Sequence, residues 1–121
     1  MYGEDGLDEI SIAASSFVSE LKDGKIRQFI LNPGEYGFKN KYSIDELTGK
    51  SPVENAEIIR NILGGKEKGA KRDISILNAA AAILVSGNAY NFSQAIDIAS
   101  DSIDSGKALK KLKELIILTN K

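Results

Sequence analysis

The chain contains no cysteine, no histidine and no tryptophan. Without cysteine there is no disulfide framework and no thiolate nucleophile. Without histidine the commonest general base at neutral pH and the commonest metal ligand are both missing. Any metal must therefore be hard and oxygen-bound, which points to Mg²⁺ or Ca²⁺. Nor is there a surplus of one charge: 16 basic residues balance 17 acidic ones, for a net charge of −1. A broad basic field for nucleic acid is excluded. The longest apolar stretch, "ILNAAAAILV", is far shorter than the roughly 20 residues of a membrane helix. The opening "MYGEDG" is neither basic nor apolar, unlike a signal peptide. A cytoplasmic location without nucleic-acid or membrane partners is the expectation.

What is present suits one small domain: 121 residues, 42% of them hydrophobic. The segment "SSFVSELKDGKIRQFIL" reads as a β-hairpin over 15–31, turning at Asp23-Gly24 in a type I′ turn. That turn pairs Leu21 with Ile26, Ser19 with Gln28 and Phe17 with Ile30. On the opposite face it pairs Val18 with Phe29 and Glu20 with Arg27, setting opposite charges across from each other. A connection over 32–50 follows, with turn chemistry at Pro33, Gly34 and Gly37. Within it, Ser43 and Glu46 are spaced as a capping box for a short helical turn.

Helical patterns fill 51–121. Ser51, Pro52 and Glu54 suit the N-cap, N1 and N3 of a helix that stops at Gly64-Gly65. "GGKEKGAKR" reads as a charged loop. It is no phosphate loop, because Ala70-Lys71 stand where Lys and Ser or Thr are needed. "RDISILNAAAAILVSG" is apolar nearly all round and predicts a buried helix closed by Gly87. The next helix has Asn91 at its N-cap, an apolar face of Phe92, Ile96, Ala99 and Ile103, and Asp97, Asp101 and Asp104 on another. These three carboxylates read as a solvated face, since nothing nearby in sequence supplies further ligands. "KALKKLKELIIL" predicts a packed terminal helix. The local fold class is α+β: an acidic loop and a β-hairpin followed by three to four packed helices.

The acidic segment "GEDGLDEISIAAS" begins almost at the first residue. For adjacent Asp8 and Glu9 to serve one site they must lie in a bent loop, since on a strand they would point to opposite faces. Gly3 and Gly6 supply the freedom for the bend. Two carboxylates suit Mg²⁺, which takes one or two from protein and its remaining ligands from water and substrate phosphates. Composition alone favours a plain acidic turn ahead of the hairpin over such a site.

Read together, the segments resemble the anthranilate phosphoribosyltransferases, the tryptophan-pathway branch of the family-3 glycosyltransferases. "GEDGLDEIS" is similar to their Gly-Leu-Asp-Glu segment. "SELKDGKIRQFILNPGEYGF", "SPVENAEIIRNILGGKEKGAKRDISILNAAAAILVSG" and "SIDSGKALKKLKELI" follow in the family's order. The resemblance implies an α/β fold, of which this chain is the C-terminal portion, with residues 1–14 as a metal loop. It implies Mg²⁺-assisted transfer of a phosphoribosyl group from phosphoribosyl pyrophosphate to anthranilate, in a homodimer. By position, it implies Asp8 and Glu9 as Mg²⁺ ligands and leaves Glu4 and Asp5 as solvated turn residues.

The chain departs from the family's pattern in two ways. Tyr2 stands where the family usually has histidine. The Gly-Thr-Gly-Gly-Asp loop that cradles pyrophosphate, the anthranilate-binding arginine segment and the dimer-forming N-terminal helices have no counterpart. The expectation is a fragment that is inactive alone. The alternative is a non-catalytic binding module or split-enzyme subunit that docks a partner carrying the missing N-terminal part, or self-associates. A helical protein that has kept the fold and lost the chemistry is a third reading, against which the retention of both Asp8 and Glu9 weighs.

Overall fold

The computed structural model describes residues 1–38 and 41–120. Lys39 and Asn40 of the expected connection, and Lys121 of the expected helical part, lie outside the described residues. Three strands, β1 (Tyr2–Gly3), β2 (Ser16–Lys22) and β3 (Lys25–Leu31), form an antiparallel sheet in that order. Two 3₁₀ turns follow, over Pro33–Tyr36 and Ile44–Leu47. Four helices complete the chain: α1 (Pro52–Leu63), α2 (Ala70–Val85), α3 (Phe92–Asp104) and α4 (Lys107–Thr119). None of the described helices is long and apolar enough to cross a membrane.

The hairpin adopts the register set by its turn. Asp23 and Gly24 both have positive φ, 50° and 73°, as type I′ demands. Leu21 pairs with Ile26, Phe17 with Ile30 and Glu20 with Arg27. The Arg27 guanidinium donates to Glu20 at 3.0 Å and lies over the Phe29 ring at 4.8 Å. Because side chains alternate, Val18 and Phe29 turn inward toward the helices. The other face carries Tyr2, Phe17, Leu21, Ile26 and Ile30, all between 40% and 74% exposed.

Capping fixes where the helices begin. Ser51 Oγ accepts from the Glu54 N–H, while the Ser51 hydroxyl and N–H both donate to the Glu54 carboxylate. Those donated bonds, the hydroxyl's first, hold Glu54 below the ordinary carboxylate range. Asn91 accepts from the Gln94 N–H at 2.9 Å to open α3.

Helix α2 divides the interior. Ala70 and Leu77 pack with Ile10, Ile12 and Leu31 from the loop and sheet. Ile76 packs with Ile62 of α1 and Ala99 and Ile103 of α3. Three sequence expectations need correction. Helix α2 is not enclosed on all sides: Ala79, Ala82 and Val85 are exposed, because these packed elements cover only part of its circumference. The charged loop ends at Gly69, so Lys71 and Arg72 belong to the first turn of α2. Finally, α4 packs through Ala108 and half-buries Leu109 and Leu112, but Leu115 to Leu118 are exposed in its last turns.

Leu77 is the fully enclosed contact between α2 and the sheet side of the core. Leu77→Ala is expected to cost about 2–5 kcal/mol of folding stability through lost burial and the cavity left behind. Urea unfolding followed by circular dichroism measures it; a loss below about 1 kcal/mol would contradict this packing.

Candidate functional site

The acidic segment forms a closed loop between β1 and β2. Its ends meet where Gly3 pairs with Ser16. Inside, the Gly3 N–H donates to Leu7 O at 2.7 Å and the Glu4 N–H to Ser15 O at 2.8 Å. Gly3 is buried, and a Cβ there would come within 2.4 Å of Asp5 Oδ1 and 3.0 Å of Ser11 Cβ. Gly6 has φ of 93°, which L side chains rarely adopt. The first glycine admits a close approach and the second a reversal, so both are needed for this bend.

Asp5 corrects the expectation of a solvated turn residue. It is half-buried, its Oδ2 accepts from the Ser11 hydroxyl at 2.6 Å, and its Oδ1 accepts from the Leu7 N–H at 3.3 Å. Ser11 is fully buried. Its Oγ also accepts from the N–H groups of Ala13 and Ala14 at 3.0 and 3.2 Å, and its own N–H donates to Ser16 Oγ at 2.9 Å. These bonds shape the loop from within. Glu4 is exposed.

The loop is tied to the helical layer by Asn78 of α2. Its Oδ1 accepts from the Ile10 N–H at 3.0 Å, and its Nδ2 donates to Ile10 O at 2.8 Å. Nδ2 also donates to Ile74 O at 3.1 Å, one helical turn earlier. Ile10 itself is buried beside Leu77. The sequence reading missed Asp5, Ser11 and Asn78. The one signal available was a lone asparagine inside an alanine-rich helix, where its propensity is poor unless its side chain has a task.

Asp8 and Glu9 lie on the bend between these fixed points and are exposed. Neither carboxylate has a hydrogen bond or ion pair among the described residues. Two unengaged hard donors suit a cation that draws its other ligands from water and a phosphate-bearing substrate. They do not make a closed cage: no group of three or more potential metal ligands occurs among the described residues. In the second acidic set, Asp104 pairs with Arg72 at 2.9 Å and Asp101 with Lys107 at 3.0 Å, while Asp97 stands exposed, as a solvated helix face would have it.

A closed acidic loop at the end of a strand, an antiparallel hairpin beside it and a helical layer behind it form a local α+β arrangement, consistent with a piece of an α/β domain. Residues 1–109 match the family described as "Glycosyl transferase family, a/b domain". The chain belongs to this family. Anthranilate phosphoribosyltransferase of Desulfosudis oleivorans is 44% identical over 119 residues, 98% of this chain and 35% of the relative. That of Methanococcoides burtonii is 51% identical over 116 residues, 96% of this chain and 32% of the relative. Among solved structures, the Saccharomyces cerevisiae anthranilate phosphoribosyltransferase in complex with PRPP and Mg superposes with a TM-score of 0.81 at 28% identity. That alignment covers 93% of this chain and 32% of the yeast chain. The Thermus thermophilus enzyme gives a TM-score of 0.82 at 27% identity, over 97% and 34% of the two chains. The chain thus spans about a third of the length of the curated relatives it matches and corresponds to their C-terminal part.

Asp5 is the acceptor around which the loop closes. Asp5→Ala is expected to cost about 1–3 kcal/mol, because the buried Ser11 hydroxyl loses its partner. Amide exchange at Leu7 should accelerate with it, and Asp5→Asn, which keeps an acceptor, should fall between. Unchanged melting and unchanged exchange in Asp5→Ala would show that the loop does not depend on this carboxylate.

Proposed function

We propose that this chain is the C-terminal part of an anthranilate phosphoribosyltransferase and contributes Asp8 and Glu9 to its Mg²⁺ site. The observation that carries the reading is the pair of unengaged carboxylates on a clamped loop, in a chain 44% and 51% identical to two such enzymes over nearly all its length. In the complete protein, the anthranilate amine attacks the anomeric carbon of phosphoribosyl pyrophosphate and pyrophosphate departs. Asp8 and Glu9 would hold the cation from one side. Bound there, Mg²⁺ would neutralise the negative charge that builds on the departing pyrophosphate. The loop's contribution is to present the carboxylates in a fixed place, so that the donor is oriented before reaction. No protein nucleophile is needed for this direct displacement. The proposed setting is cytoplasmic tryptophan biosynthesis, in a homodimer of the complete protein.

The test is reconstitution with a polypeptide supplying the remaining two thirds of a relative. The 121-residue chain alone is expected to consume no anthranilate, and the reconstituted protein to do so with Mg²⁺. Asp8→Ala and Glu9→Ala should each lower turnover by at least the roughly 10–100-fold typical of disturbing a metal site. Turnover by the chain alone, or wild-type turnover in both variants, would refute the assignment.

The uncovered sheet face favours a second, compatible reading: the chain docks a partner that carries the relatives' remaining length. Tyr2, Phe17, Leu21, Ile26 and Ile30 crowd one side of a three-stranded sheet, with the Tyr2 and Phe17 rings 5.1 Å apart. Contiguous exposed apolar residues of this kind mark association surfaces. Sedimentation velocity should show concentration-dependent self-association of the chain, relieved by adding the missing part or by Phe17→Asp with Ile30→Asp. A clean monomer that ignores the added part would contradict docking through this face.

A further inference from the structure

We propose that Asn78 is the positioning residue of the acidic loop, setting the place of Asp8 and Glu9 relative to the helical body. The inference rests on the reading of those two residues as cation ligands. Loop and helix are joined by one carboxamide that engages both the N–H and the C=O of a single residue, at 3.0 and 2.8 Å. Such a two-point bond fixes the plane of the Ile10 peptide groups as well as their position, much as a neighbouring strand would. Ile10 directly follows Glu9, so its backbone fixes the point from which the two carboxylates project. The remaining hydrogen of Asn78 Nδ2 is held by Ile74 O, so the carboxamide itself cannot rotate freely.

The other polar contacts of the loop cannot substitute. Asp5, Ser11 and Ser16 bond to groups within the loop or at its junction with β2, and so determine its shape. Among the described residues, only Asn78 carries a side-chain hydrogen bond between the loop and a helix. The buried Ile10 side chain adds a non-directional anchor. An apolar contact keeps Ile10 near Leu77, but leaves its peptide plane free to tilt. Asparagine is also a poorer helix former than the alanines that follow it, so its place on α2 is explained by this bond rather than by helix stability.

The experiment uses the 121-residue chain with Mn²⁺ as an oxygen-seeking, paramagnetic probe. Free Mn²⁺ is counted by electron paramagnetic resonance at a temperature where every variant is folded by circular dichroism. Wild-type protein is expected to bind, and Asp8→Ala or Glu9→Ala to weaken binding sharply. Asn78→Leu, which keeps the branched shape of the side chain and removes all three hydrogen bonds, should raise the Kd about 10-fold, as does loss of a residue supporting a metal ligand; Asn78→Ala, which removes them without adding bulk, should do the same. Amide exchange at Ile10 should accelerate in both, while Leu77 and Ala80 keep their wild-type protection. A wild-type Kd in Asn78→Leu, with Asp8→Ala still impaired, overturns the inference alone. So does weaker binding with equal acceleration at Leu77, because that reports general loosening. No Mn²⁺ binding by the wild type, or binding indifferent to Asp8→Ala and Glu9→Ala, overturns the cation reading and the inference together.

Discussion

Leu77 and Ile76, adjacent on α2, face two different cores, and the remaining elements are arranged around that division. Leu77 closes the core formed with Ile10, Ile12 and Leu31, while Ile76 closes the one formed with Ile62, Ala99 and Ile103. The loop and sheet on one side and α1 and much of α3 on the other therefore depend on two faces of a single helix. Neither core is large. Each is a handful of side chains, and removing α2 would leave both open to water. The short side chains of Ala70 and Ala80, both buried, let neighbouring backbones come close to the helix axis.

Polar side chains on the same helix add direction to that burial. Lys71 Nζ donates to the carbonyls of Glu46 and Thr48, satisfying the end of the second 3₁₀ turn. Asp73 accepts from the Tyr42 hydroxyl at 2.8 Å. Arg72 reaches Asp104 at the end of α3, and its Nε is buried without a hydrogen-bond partner among the described residues. Asn78 reaches the acidic loop. Hydrophobic contact sets how near each segment lies, and these bonds set its orientation. Three of the four tethering side chains stand within the first turn of α2, and two of them, Lys71 and Arg72, fall in the stretch that the charge pattern alone reads as a solvated loop.

Local signals were legible in the sequence; distant ones were not. Asp23-Gly24 specifies a turn whose twist matches its strands, so the register followed without any knowledge of the helices. Ser51, Pro52 and Glu54 specify a helix start through bonds spanning three residues. The match of Asn78 to Ile10 spans 68 positions and leaves no periodic trace. Asp5 looked solvated because it stands among acids and glycines. Only the buried Ser11 hydroxyl, delivered by the loop's own closure, distinguishes it from Glu4. The alanine-rich stretch read as enclosed because pattern reports how apolar a helix is, not how many neighbours the chain has to cover it.

The distribution of partners within the acidic loop follows one electrostatic logic. Of its four carboxylates, the one that turns inward is bonded to protein donors, and the adjacent pair at Asp8 and Glu9 is not. The ties that fix the bend use backbone groups, the Asp5 carboxylate, two serine hydroxyls and the Asn78 carboxamide, and so consume none of the lone pairs on Asp8 or Glu9. A lysine or arginine in the position of Asn78 would place a cation beside them and compete with any ligand they hold. A neutral amide fixes the backbone as firmly without doing so. Two like charges on neighbouring residues repel, and that repulsion is relieved when a hard cation is shared between them. The cation in turn needs oxygen ligands that this loop does not supply, which is the chemistry of a metal site completed by phosphate and water rather than by protein alone.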